Sequence, residues 1–294
     1  MGFKVVQWNG IDARPIVDAH GRVIAVLAGQ PRSPEYAAAA TRAYDVLEEE
    51  RIAANFKASM KHHRRGRFVA LNAGISYGKG TQIPSRIDPV NYNALLTRLL
   101  GNTDIIRMAT FASAAFALWA PGLYAYYQRY GNALHQRLPH LQRNFPKSIF
   151  SCATFNFGPS AWTFKHRDLM NLPFGMCAIQ ALGDFDPTAG GHLVLWELKL
   201  VVEFPPGALI LLPSATLSHS NLPIGKNERR ASFTQYTAGG IFRWVDNGFR
   251  TERELAREDP DEYTRILAAK DDRWAMGIGL LSTIDDLLPP ITPE

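Results

Sequence analysis

The chain contains 294 residues, of which 46% are hydrophobic and 20% are charged, and its formal net charge is +5. These fractions are typical of globular domains and argue against wholesale disorder, and no run of eighteen apolar residues is present that could span a membrane. Charged residues interrupt the first thirty positions and only two cysteines occur, so we expect no secretory signal and a reducing compartment, the nucleus or otherwise the cytoplasm.

The charge is unevenly distributed along the chain. Residues 51–167 hold sixteen Lys and Arg against two Asp, whereas residues 246–294 hold six basic against twelve acidic residues. A basic region favours a polyanionic partner, because each neutralised phosphate releases counterions. An ordinary solvated surface explains the same count, so charge alone does not identify DNA.

Residues 1–67 are predicted to form an N-terminal hairpin and helix. Strands are expected at 4–7 and 22–28, with a turn at 18–21 between them. The helix is expected to begin at Pro34 and to end near Ala54. Residues 61–67, the densest basic run, are predicted to be a solvated loop, with phosphate contact or nuclear import as the alternatives.

The middle of the chain is predicted to change from helices to strands. A strand over 68–71 and a glycine-punctuated loop over 72–80 precede helices over 89–101 and 113–143, the second split at Pro121-Gly122. From Ser148 onwards, seven or eight short strands separated by Gly, Pro and Asp turns indicate a double-sheet jelly roll. These strands are predicted over residues 149–157, 163–168, 178–182, 192–196, 200–204, 208–212 and 231–237.

The predicted fold class is therefore α+β, a double-stranded β-helix (jelly-roll) core with N-terminal and C-terminal helices packed around it. The core is assigned to residues 68–245 with a helical insertion, and acidic helices are assigned to 246–294. In that last part, Thr251-x-x-Glu254 is a capping box, Pro260 begins a second helix, and residues 272–288 are predicted to form a third.

The pair His166 and Asp168 indicates a metal site. Residues i and i+2 of an extended strand point to the same side, so the two side chains can reach one ion. A second histidine would complete a two-histidine, one-carboxylate face, which leaves coordination positions open and suits non-haem Fe(II). His219 is the best candidate, because it follows a predicted turn and a buried strand that provide a rigid mount.

Arg230 and Ser232 follow on one later strand. Their i, i+2 spacing places both side chains on the same face. A guanidinium holds a carboxylate through two parallel hydrogen bonds, and the serine adds a hydroxyl donor. The pair therefore predicts a site for a carboxylate ligand.

The ordered set of HxD, distal His and RxS resembles the 2-oxoglutarate- and Fe(II)-dependent dioxygenases. Within them, the blocks HRDLMN at 166–171, RASFTQY at 230–236 and GGHLVL at 190–195 resemble the compact fungal TET/JBP oxygenases over residues 70–245. Those enzymes oxidise methylated or thymine bases in DNA. Two features depart from the animal members: Cys152 and Cys177 cannot form their zinc module, and Met170 replaces a polar residue.

The resemblance implies a reaction and a role for each site residue. The reaction would consume 2-oxoglutarate and O2 and would oxidise a flipped methylated base in duplex DNA, 5-methylcytosine-like or 6-methyladenine. The implied roles are Fe(II) binding by His166, Asp168 and His219, co-substrate binding by Arg230, Ser232 and Asn156, and hydrogen bonding to the base by Asn171.

Two other functions fit the same sequence. A hydroxylase of a protein or small molecule would use the same iron site. A non-enzymatic nucleic-acid-binding relative would keep the fold, but it has no need for His166, Asp168, His219 and Arg230 together. The sequence does not indicate the oligomeric state.

Overall fold

The computed structural model describes residues 2–78, 80–87 and 91–288. Two β-sheets pack face to face, and helices cover the outer side of the larger sheet, which confirms the predicted jelly roll with helices around it. The strands are β1 Lys4–Val6, β2 Arg14–Val17, β3 Val23–Gly29, β4 Ala70–Ser76, β5 Ser85–Ile87, β6 Cys152–Asn156, β7 Cys177–Asp184, β8 Leu193–Leu195, β9 Leu200–Val202, β10 Leu209–Leu212, β11 His219–Asn221 and β12 Arg229–Tyr236. The helices are α1 Pro34–Ala54, α2 Asn93–Gly101, α3 Thr103–Trp119, α4 Pro121–Arg137, α5 Gly239–Asp246, α6 Glu252–Glu258, α7 Pro260–Ala268, α8 Lys270–Ile278 and α9 Ile284–Leu287, with a 3₁₀ turn at Ala58–Lys61.

The larger sheet has eight antiparallel strands in the order β2-β3-β10-β7-β12-β6-β4-β5. Side chains alternate along each strand, so the sheet has two differently occupied faces. Phe233 of β12 packs among the helices, whereas its neighbours Ser232 and Thr234 face the interior of the roll. This alternation gives the site its polar wall.

The smaller sheet has the order β1-β9-β8-β11 and places His219 opposite Leu195 of β8. The predicted hairpin between residues 4–7 and 22–28 is wrong. Strand β1 pairs in parallel with β9, and the turn at 18–21 joins β2 to β3 in the other sheet. Trp8 and Phe204, which follow β1 and β9, stack with ring centroids 6.4 Å apart, so burial of these rings favours the long-range pairing.

Strand β4 occupies part of the segment predicted as a glycine-rich loop. It runs to Ser76 rather than ending at residue 71. Gly74 has a φ of +118°, and a Cβ at this position would lie 2.1 Å from the carbonyl oxygen of Ser151. The glycine therefore permits close backbone approach within a strand. Lys79 of the predicted loop lies outside the described residues.

The helices agree only partly with the prediction, and α5 at Gly239–Asp246 was not predicted. Helix α1 has the predicted range, and Pro121 begins α4 as expected, but α4 ends at Arg137 rather than at residue 143. Helix α3 begins at residue 103 instead of 113, because the Asn102 side chain accepts hydrogen bonds from two backbone N–H groups of its first turn. Residues 89 and 90 of the predicted first helix lie outside the described residues.

The C-terminal helices form an outer layer. The capping box at Thr251 and Glu254 is present, and α7 begins at Pro260, as predicted. The segment predicted as one helix over 272–288 contains two, α8 and α9, and residues 289–294 are not described. In the part of the chain that the structure describes, no helix is long and apolar enough to cross a membrane.

Candidate metal centre and carboxylate site

The backbone brings together the two segments that carry the metal ligands. His219 begins β11, and His166 pairs with it through two reciprocal N–H···O=C hydrogen bonds of 3.0 Å. The Asp168 N–H donates to the carbonyl of Ser214 at 2.8 Å. The strand predicted over residues 163–168 is wrong, because only isolated bridges form there, yet these bridges still hold both ligands against residues 214–219.

The three side chains converge on one point. Nε2 of His166 lies 3.9 Å from Oδ1 of Asp168, and Nε2 of His219 lies 3.9 Å from Oδ2. All three possible ligand atoms lie within 4.8 Å of one another, and among the described residues this is the one such group of three. Two imidazole nitrogens and a carboxylate oxygen gathered in this way could hold one metal ion after small side-chain movements. The predicted facial triad is therefore assembled.

Hydrogen bonds set the tautomer of each histidine. Nδ1 of His166 donates to the carbonyl of Phe164 at 2.8 Å, and Nδ1 of His219 donates to that of Leu217 at 3.0 Å. Each Nε2 therefore keeps a free lone pair toward the carboxylate of Asp168, as metal-binding histidines require.

Burial keeps both imidazoles neutral. Burial and then the neighbouring His219 lower the pKa of His166 to about 4, and burial lowers the pKa of His219 as well. At neutral pH both rings are thus uncharged, which is the form that binds a metal ion.

The triad opens into a cavity of about 510 Å³. Asn156, Ser232, Thr234 and Tyr236 form one wall, and Asn171 lies near the metal ligands. A cavity of about 580 Å³ lies between the β2–β3 turn and α8. Its lining is mostly apolar and contains none of the three metal ligands, so the chemistry belongs to the first cavity.

Arg230 is a buried cation with unsatisfied donors. The side chain is 1% exposed, and its Nη1 donates to the carbonyl of Ala161 at 2.6 Å. Its Nε and Nη2 have no hydrogen-bond partner. The guanidinium carbon lies 5.7 Å from the ring centroid of Phe185 and 6.0 Å from that of Phe204, so the charge is enclosed by aromatic rings. Burial lowers its pKa to about 10.

Ser232 and Asn156 extend this polar group into the cavity. Their strands pair at these residues, and the Asn156 Nδ2 donates to the Ser232 Oγ at 2.9 Å. The Oδ1 of Asn156 has no partner. Arg230 lies two residues before Ser232 on the same strand face. Arg230 is not itself among the described residues that line the cavity, but its two free donor atoms fit a carboxylate such as that of 2-oxoglutarate.

Asn171 also lies in the cavity, and its Nδ2 donates to the Ser214 Oγ at 2.9 Å.

Several residues that line the cavity were not predicted from the sequence. Thr234 and Tyr236 continue the i, i+2 series from Arg230 and could have been found from it. Asn72 and His63 have no comparable signal, because distant segments bring them to the cavity.

The basic run forms a hairpin at the cavity mouth. His63 and Gly66 exchange two backbone hydrogen bonds of 3.1 Å, so Arg64 and Arg65 occupy a two-residue tip, and both line the cavity. The Phe164 N–H donates to the Arg65 carbonyl at 2.7 Å. The hairpin is thus tied to the segment that carries His166.

The jelly roll that carries this two-histidine, one-carboxylate site was compared with solved structures. NgTET1 in complex with 5mC DNA matches with a TM-score of 0.55 and 13% identity, over 81% of this chain and 83% of that one. A 2OG-Fe(II) oxygenase family oxidoreductase from Burkholderia pseudomallei (TM-score 0.34, 18% identity, 70% and 92% covered) and a Pseudomonas putida prolyl-4-hydroxylase (0.34, 17%, 69% and 87%) match more weakly. No family model and no curated protein matches the sequence. The likeness to NgTET1 confirms the predicted fold.

Proposed function

We propose that the protein is an Fe(II)- and 2-oxoglutarate-dependent dioxygenase that oxidises a methylated base in DNA. One observation carries the reaction class. A preassembled His166, Asp168 and His219 triad shares a roll interior with the buried Arg230, whose Nε and Nη2 lack partners. A buried charge without a partner is costly, so its presence favours an anionic ligand that completes it.

Each residue has a definite task in this reaction. His166, Asp168 and His219 would hold Fe(II), which supplies the redox and Lewis-acid chemistry for O2 activation when bound. Arg230 would bind the far carboxylate of 2-oxoglutarate, with Ser232 beside it, and so fix the orientation of the co-substrate. The buried apolar residues around β7 and β8 exclude water from this end of the site.

The cavity mouth supports a nucleic acid as substrate. Arg64 and Arg65 line it, and Asp168 is the one carboxylate among the described lining residues. Leu169 and Met170 are 72% and 46% exposed beside the metal ligands, which gives the rim an apolar surface for a base. The likeness to NgTET1, solved with 5mC DNA, agrees with this assignment. We propose that Asn171 contacts the flipped base. The location of the protein in the nucleus, or otherwise in the cytoplasm, remains a prediction.

The test is incubation with Fe(II), ascorbate and 2-oxoglutarate together with methylated DNA, RNA and peptide panels, analysed by mass spectrometry. We expect an oxidised base in DNA and equimolar succinate, and neither product with Asp168→Ala. Oxidation of peptides or small molecules alone would replace the DNA assignment with the hydroxylase alternative. DNA binding without any succinate would indicate the non-enzymatic alternative.

A further inference from the structure

The basic hairpin has a second face that points away from the metal cavity. His62, Arg64 and Arg65 line that cavity, whereas Lys61 and Arg67 line a separate cleft of about 470 Å³ together with Arg51. We call this the outer basic cleft. Its other walls are uncharged and mostly apolar, and they include Ile52, Phe56, Phe68 and residues 158–160 together with the polar Asn55.

The cleft has an excess of positive charge. No Asp or Glu is among its described lining residues. Glu48 neutralises Arg51 through two hydrogen bonds of 2.6 and 2.7 Å. Lys61 and Arg67 are exposed and form no salt bridge within the described ranges. Two cations therefore remain available for an anion.

The cleft is preformed by the residues around it. Phe56 and Phe68 are buried at its base. Gly66 packs so closely on the neighbouring segment that a Cβ would lie 2.7 Å from the carbonyl oxygen of Trp162. On the other side, the Arg230 N–H donates to the carbonyl of Pro159 at 2.6 Å. The backbone that carries Lys61 and Arg67 therefore contacts the segment leading to the metal ligands, and the opposite wall at Pro159 is bonded to β12.

We propose that the outer basic cleft binds a backbone phosphate of the nucleic acid beyond the reacting nucleotide. This inference rests on the proposed function. An exposed ammonium and guanidinium beside apolar walls fit a phosphodiester, which carries a charge on each unit and an apolar sugar between units. Binding in the cleft should therefore increase the affinity for long substrates and leave the affinity for short ones unchanged.

The test compares Lys61→Gln/Arg67→Gln with the control Arg86→Gln/Lys147→Gln, which removes the same charge from exposed positions of the basic region outside both cavities. Fluorescence anisotropy over a range of salt concentrations measures duplex binding by each protein. Loss of this phosphate contact should flatten the salt slope by about 0.9 and weaken binding roughly 8-fold at 0.1 M salt. The KM for a methylated trinucleotide should not change, whereas the KM for a long duplex should rise.

The outcomes separate the two proposals. A wild-type protein without duplex affinity at low salt would overturn the nucleic-acid function and this inference together. Salt-dependent binding that the cleft variant and the control lose equally would overturn the cleft alone. Equal KM increases for the trinucleotide and the duplex would also overturn it, because they would indicate damage to the catalytic cavity.

Discussion

Replacement of Arg230 by methionine should stabilise the protein in the absence of 2-oxoglutarate. Burial lowers the pKa of this guanidinium to about 10, so the folded protein holds the proton less tightly than the unfolded chain. The resulting destabilisation is fully present below pH 10 and fades as the pH rises above it. At about 1.4 kcal/mol per pH unit, the depression corresponds to about 3 kcal/mol.

Methionine also removes one favourable contact. The hydrogen bond from Nη1 to the Ala161 carbonyl is lost, at a cost of about 1 kcal/mol. The net gain of about 2 kcal/mol should raise the Tm by roughly 5 °C for a chain of this size. The same substitution should abolish the stabilisation by 2-oxoglutarate, which amounts to about 2.7 kcal/mol in the wild type at one hundred times its Kd.

Thermal unfolding with Mn(II) in place of iron, with and without 2-oxoglutarate, measures both effects. Arg229→Met is the matched control, because Arg229 is exposed and lies 3.8 Å from Asp184 in a surface pair worth less than about 1 kcal/mol. The reasoning is refuted if Arg230→Met unfolds several degrees lower and still responds to 2-oxoglutarate, or if the response is lost in the Arg229 variant.

Three further results are expected. His166→Ala or Asp168→Ala should reduce succinate formation to background while circular dichroism shows an intact fold, and full turnover by either variant would contradict the metal assignment. Ser232→Ala leaves its asparagine partner unsatisfied and should raise the KM for 2-oxoglutarate by roughly 5- to 30-fold, for a loss of about 1–2 kcal/mol; an unchanged KM would place the co-substrate elsewhere. Burial raises the pKa of Cys152 and Cys177 to about 12, so iodoacetamide at pH 8 should alkylate them only after unfolding, as mass spectrometry would show.

The site was more predictable from sequence than the sheet pairings were. His166, Asp168, His219, Arg230 and Ser232 are defined by short spacings and strand alternation, which are local properties. The structure brings the first three within 4.8 Å of one another and pairs Ser232 with a strand on each side.

Pairings between distant segments could not be predicted in this way. Strand β1 finds β9 across about 200 positions, and the choice depends on burial of Trp8 against Phe204 rather than on the residues of β1. The hairpin of residues 63–66 was likewise predicted as a loop, because only His63 and Gly66 form backbone hydrogen bonds with each other in it. By contrast, the start of α3 at residue 103 has a local sequence signal in the Asn102 cap.

A backbone hydrogen-bond network joins the hairpin at the cavity mouth to the metal ligands. Gly66 bridges to Thr163, Arg65 accepts from Phe164, and His166 is bonded at both backbone groups to His219. The cationic tip and the first metal ligand therefore lie on adjoining segments joined by hydrogen bonds rather than on independent loops. If the protein acts on a nucleic acid as proposed, a phosphate bound at the tip would have a fixed position relative to the metal ligands, which is the condition for placing one base of a long polymer at the reacting centre.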